Sequence, residues 1–201
     1  MHIIRRLGPL LPMAGFFFSS IVFLSLSRLA LGLFNWERVV DLHTLVHVLL
    51  VGIRMDTVLV CMVTIVPVLM TLLLPALITG SKHYRLFIRL FLSIWATLFV
   101  LMELTTPTYI AFFDTRPGRI FFEYLNHPRE VGLLLLGGFV IQSIFVFIGT
   151  VLTAVFTYIG VRRLQAFEVP FSYPRQLLVL PFVLALLVLG ASTVPINTNM
   201  D

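Results

Sequence analysis

The sequence predicts an all-α integral membrane protein, a single domain over 1–201 with five transmembrane helices and a short interfacial helix near 42–53. Three observations carry this. First, hydrophobic residues make up 59% of the chain and charged residues only 11%, against about 25% charged in a soluble domain; a fold in water could not hide that much apolar surface. Second, apolar runs exceed twenty residues. That is the length a helix needs to cross about 30 Å of hydrocarbon, whereas a barrel strand alternates every second residue over about ten. Third, the basic residues gather at the ends of those runs, as topology signals do. The net charge of +5 therefore belongs to a membrane surface, and no nucleic-acid partner is expected.

The first span covers about 10–34. Its start, MHIIRRLGPLLP, has the charged opening of a signal peptide. The apolar run from Leu7 to Phe34 outlasts the roughly 7–15 residues of such a segment, and no A-x-A-like site follows, so a retained helix is expected. Arg28 near its far end either snorkels to the interface on its apolar stem or meets a buried partner such as Glu37 or Asp56.

The polar stretch NWERVVDLHT (35–44) follows, then LVHVLLVGI (45–53), too short to cross, and RMD (54–56). An interfacial helix over 42–53 accommodates that pattern. The second span, about 57–78, contains Pro67 and Pro75, and a kink is expected there. Cys61, the lone cysteine, lies in this apolar run as a buried thiol with no intramolecular partner.

After TGSKHYR (79–85), a third span over about 86–110 holds Glu103, and TTPTY (105–109) can break the helix and supply hydroxyls, giving Glu103 access to water. The passage FFDTRPGRIFFEYLNHPREV (112–131) turns at Pro117-Gly118. Asn126, Pro128 and Glu130 then suit a cap, a first turn and the helix dipole of the fourth span, about 131–161. That span is long for the bilayer and must tilt or project. A fifth follows RRLQAFEVPFSYPR, over about 176–194. Gly137, Gly138, Gly149 and Gly160 are expected to let helices approach closely.

Charge sets the orientation. One set of flanks carries Arg5, Arg6, Lys82, Arg85, Arg89, Arg162, Arg163 and Arg175 against the single acid Glu168. The other set carries the remaining six bases with the remaining eight acids. The N-terminus is thus expected in the cytoplasm and the C-terminus outside.

Polar elements at 35–56 and 112–130 then converge on the outer face. Arg54, Arg116, Arg119 and Arg129 could clamp a lipid phosphate in bidentate fashion, or pair with Asp56, Asp114, Glu123 and Glu130 to hold the loops. Glu103, an ionisable group inside a span, invites a functional reading: ion or proton passage, or pairing with Arg54 or Arg28. His43 and His47 share a helix face at i,i+4, but zinc would need a further ligand from His127 or Asp56. Interface hydrogen bonding is their expected role, and no metal site is predicted. Glycine loops for phosphate, nucleophile elbows, H-E-x-x-H and C-x-x-C motifs are all missing from the sequence.

GIRMD (52–56) after an apolar stretch, the acid in the third span and the 112–131 passage together resemble the membrane domain of the lipoteichoic acid synthase family and related phosphoglycerol and phosphoethanolamine transferases. The resemblance spans most of the chain and is strongest at 52–56 and 103–131. It implies five helices anchoring a large extracytoplasmic domain of sulfatase-like fold, in the bacterial cytoplasmic membrane. The metal-bound threonine nucleophile, with Mn or Mg, would belong to that following domain. No cofactor and no catalytic residue falls on this sequence.

The resemblance leaves two possibilities, the membrane part of a longer protein or a stand-alone relative. The expected function is an anchor that presents a phospholipid donor and docks the catalytic domain, its contacts being Arg54, Asp56, Arg116, Arg119, Glu123 and Arg129. Two other classes compete: a small transporter or channel component, built around Glu103, Arg28 and the prolines, and a structural subunit that binds a protein partner. Against transport stands the absence of any internal repeat.

Overall fold

A computed structural model describes residues 8–34, 42–113 and 140–165. Each described element is helical. A single 3-10 turn, Gly8–Leu10, leads into α1, Leu11–Phe34. Then come α2, Leu42–Leu73, a short α3, Ala76–Thr79, the long α4, Lys82–Phe113, and α5, Val140–Gln165. Among the described residues, four helices are long and apolar enough to cross a membrane: α1, α2 from Leu49, α4 as far as Thr108, and α5. The chain is a multi-pass helical membrane protein. The expected fifth span and the 114–131 part of the polar passage lie outside the described residues, as do Gly137 and Gly138.

The predicted break between an interfacial helix and the second span does not occur, because α2 runs unbroken through 42–73. Charge alone does not end a helix; a lost backbone donor or a proline clash does, and no proline lies between 42 and 66. Pro67, inside α2, is fully buried without ending it. Pro75 does end it, five residues before the expected 78, because a proline drives the residue before it out of the helical region. The chain turns at Leu74 and Pro75, with the Pro75 carbonyl accepting from the amides of Ile78 and Thr79 at 2.9 and 3.2 Å. Ser81 then caps α4, its Oγ accepting from the Tyr84 amide at 3.2 Å.

Pro107 likewise does not interrupt α4, so the break that TTPTY could make does not occur. Pro107 takes the amide donor away from the Glu103 carbonyl four residues earlier, and the helix continues past it to Phe113. Thr105 donates to the carbonyls of Leu101 and Met102 at 2.9 and 3.0 Å, and Thr106 to that of Met102 at 2.7 Å. The same back-bonding hides the hydroxyls of Thr57, Thr64, Thr97, Thr150 and Thr153.

The described residues fall into two compact units, one drawn from Met1–Leu92 and Gly160–Asp201, the other from Ser93–Ile159. In the first, α1 and α2 pack against each other as an antiparallel pair. Met13, near the start of α1, meets Thr71 near the end of α2, while Arg28, near the end of α1, meets Asp56. Half of α2's apolar window is buried, against 17% of α1's, so α2 is the more central of the two.

Thr71 joins α2 to α4. Its hydroxyl donates to the Pro67 carbonyl at 2.6 Å and accepts from the Tyr84 hydroxyl at 2.7 Å. At the same end Gly15 of α1 faces Leu164 of α5, whose Cδ1 would lie 2.9 Å from an added Cβ. The start of α1, the end of α2, the start of α4 and the end of α5 are therefore gathered together, as alternate crossings require. In the second unit Gly149 plays the expected close-approach role against Leu104, 2.6 Å from an added Cβ; Gly160 does not, since its missing side chain faces open space.

Candidate functional site

Arg28 sits six residues, about 9 Å, before the end of α1. Asp56 lies seven residues, about 10 Å, inside the apolar window of α2. Because the two helices are antiparallel, these depths coincide. Arg28 Nη2 donates to Asp56 Oδ1 at 2.6 Å, and the side chains are 16% and 9% exposed. Of the two sequence alternatives for Arg28, the buried partner is the one the structure has. The guanidinium stays between the helices and does not leave for the interface.

The pair is possible because of Gly52. A Cβ there would overlap Nε and Cδ of Arg28 and lie 2.6 Å from Cζ, so the arginine side chain lies across the bare backbone of α2. Gly52 and Asp56 are one turn apart and share a face: the glycine makes the notch and the aspartate receives the charge at its upper edge. A glycine inside a helix costs about 1 kcal/mol relative to alanine, and here that cost leaves room for the guanidinium. Sequence reasoning singled out GIRMD without seeing this role. The available signal was a glycine four residues before an acid, opposite the lone arginine of the preceding span.

The pair is incompletely satisfied. Arg28 Nε and Asp56 Oδ2 are both buried without a hydrogen-bond partner. Breaking such a pair on one side strands a buried charge, at a typical cost of about 3–5 kcal/mol.

The other predicted site residues divide clearly. Arg54, two positions from Asp56 on α2, is exposed, and so are His43 and His47. Asp56, expected among the contacting residues of the outer face, is instead buried at 7% exposure and engaged by Arg28. It is thus occupied by a guanidinium where a zinc ligand was considered. Among the described residues, no three His, Cys, Asp or Glu side chains form a group that could hold a metal ion. Glu103 is half-buried in α4 and engaged in an interaction of its own. Cys61 is a buried free thiol in α2. Arg116, Arg119, Glu123 and Arg129 lie outside the described residues, with Glu37 and His127. Compared with known proteins, the chain matches no protein-family model and no solved structure.

Proposed function

We propose that the chain is the membrane anchor and lipid-presenting domain of a phosphoglycerol- or phosphoethanolamine-transferase-like protein, non-catalytic by itself. The observation that supports the reading best is the division of labour within GIRMD. Gly52 and Asp56 are consumed in seating Arg28, while Arg54 between them remains exposed. A segment that served only to join α1 and α2 has no use for a second, outward arginine. A phosphate-recognising edge does, because a guanidinium offers phosphate a planar fork of donors.

In this reading the end of α1 and the start of the α2 window face the outer leaflet, with the N-terminus in the cytoplasm. Arg116, Arg119 and Arg129 join Arg54 around the lipid headgroup. A metal-dependent domain of sulfatase-like fold, using Mn or Mg, would perform the transfer on the lipid so presented.

The test is phospholipid retention by the purified chain. Arg54→Ala, and separately the double change Arg116→Ala with Arg119→Ala, are expected to lower co-purifying phospholipid severalfold. Single cysteines placed at 54 and 82 should be labelled from opposite faces of the membrane. Unchanged lipid retention in both variants removes the clamp, and labelling of both positions from one face removes the orientation.

A further inference from the structure

The opposite end of the same unit carries a second charged feature, which the reading above does not use. Gln165, the last residue of α5, is buried at 4% exposure. Its Oε1 accepts from Arg89 Nε at 2.5 Å, and its Nε2 donates to the Arg85 carbonyl at 3.0 Å. One amide therefore ties the end of α5 to two successive turns of α4. Arg85 and Arg89 share a face at i,i+4, and Arg162 shares one with Gln165 at i,i+3. Arg85 Nε is buried without a hydrogen-bond partner, while Lys82, Arg162 and Arg163 are exposed. No acid occurs within 80–90 or 160–165.

A topology signal needs only the number of positive charges near a span, in any geometry. It does not need a buried glutamine that engages one arginine's Nε and the backbone carbonyl of another one turn away. The depth is also informative. The candidate spans of α4 and α5 begin at Lys82 and end at Gln165, so Lys82, Arg85, Arg162 and Arg163 belong to the terminal turns of their spans and Arg89 lies about 10 Å inside. Basic surfaces between helix ends suit anionic headgroups.

We propose that Lys82, Arg85, Arg89, Arg162 and Arg163 form a binding site for the phosphodiester of an anionic phospholipid in the leaflet on the base-rich side. The buried Gln165 orients Arg89, and the arginine forks around it supply the donors to phosphate oxygen. The site is independent of the lipid-presenting reading, whose alanine variants leave all of these bases in place.

The experiment uses the full chain in mixed micelles of phosphatidylcholine, titrated with phosphatidylglycerol, with thermal unfolding as the readout. Phosphatidylglycerol is expected to raise the unfolding temperature, and inorganic phosphate at matched concentration is expected not to. Changing Arg85→Lys and Arg89→Lys together keeps every charge but removes the forks, and it should abolish most of the rise. Arg162→Gln with Arg163→Gln, both at exposed positions, should weaken the phosphatidylglycerol dependence by about fivefold per base even if the first variant folds poorly. The proposal is overturned if the lysine variant keeps the full rise, if the glutamine variant titrates like the parent, or if free phosphate or phosphatidylcholine alone reproduces the effect.

Discussion

Asp56→Ala is expected to lower the unfolding free energy by about 3–5 kcal/mol, the usual cost of stranding one member of a buried pair. The guanidinium of Arg28 cannot shed its proton. With its partner gone it must stay charged among apolar neighbours or drag its stem some 9 Å toward the end of α1. Arg28→Met should cost less, because a buried carboxyl can take up a proton and become neutral whereas a guanidinium cannot. Arg28→Met combined with Asp56→Leu should restore most of the loss, since replacing both members of a buried pair by apolar residues of similar volume is often neutral or better. Reversible unfolding in mixed micelles measures all three. Were Arg28 merely snorkelling, Asp56→Ala would behave as an ordinary substitution, within about 0.5 kcal/mol of the parent.

Gly52→Ala is the second large effect, and its diagnostic feature is a change of sign. In a helix interior this substitution ordinarily stabilises by up to about 1 kcal/mol. Here the new methyl would occupy the path of the Arg28 side chain. The expected outcome is destabilisation by about 1–3 kcal/mol, the range for overfilling a packed site, as the guanidinium is pushed away from Asp56. In the Arg28→Met, Asp56→Leu background the obstruction disappears, and the same change should become neutral or stabilising. A destabilisation of equal size in both backgrounds would mean that Gly52 serves something other than the arginine.

These effects show what could be read from residues alone. The helices were legible because bilayer crossing demands long apolar runs, and α1, α4 and α5 lie where those runs are. Segment 42–53 was misjudged because Arg54 and Asp56 look like the edge of a membrane. The physical content missing from the one-dimensional view is that Asp56 is neutralised by a residue 28 positions earlier, so α2 can carry it inside. Pro107 reads as a helix breaker by residue type, yet α4 continues through it to Phe113. At the base-rich end the charges were legible as a topology signal. Their organiser was not, because a lone glutamine after Arg162 and Arg163 has no sequence signature and acquires its role only when the start of α4 arrives beside it.

The most direct test of the buried pair is a solid-state NMR distance measurement on the chain in phospholipid bilayers, with arginine guanidinium nitrogens and aspartate carboxyl carbons isotopically labelled and Arg28→Lys and Asp56→Asn variants used to assign the signals. The expected result is a strong through-space coupling between the Arg28 guanidinium and the Asp56 carboxyl carbon, matching an N–O separation of 2.6 Å, with negligible coupling from Arg28 to lipid phosphorus. Strong coupling of Arg28 to lipid phosphorus, with none to Asp56, would contradict the account.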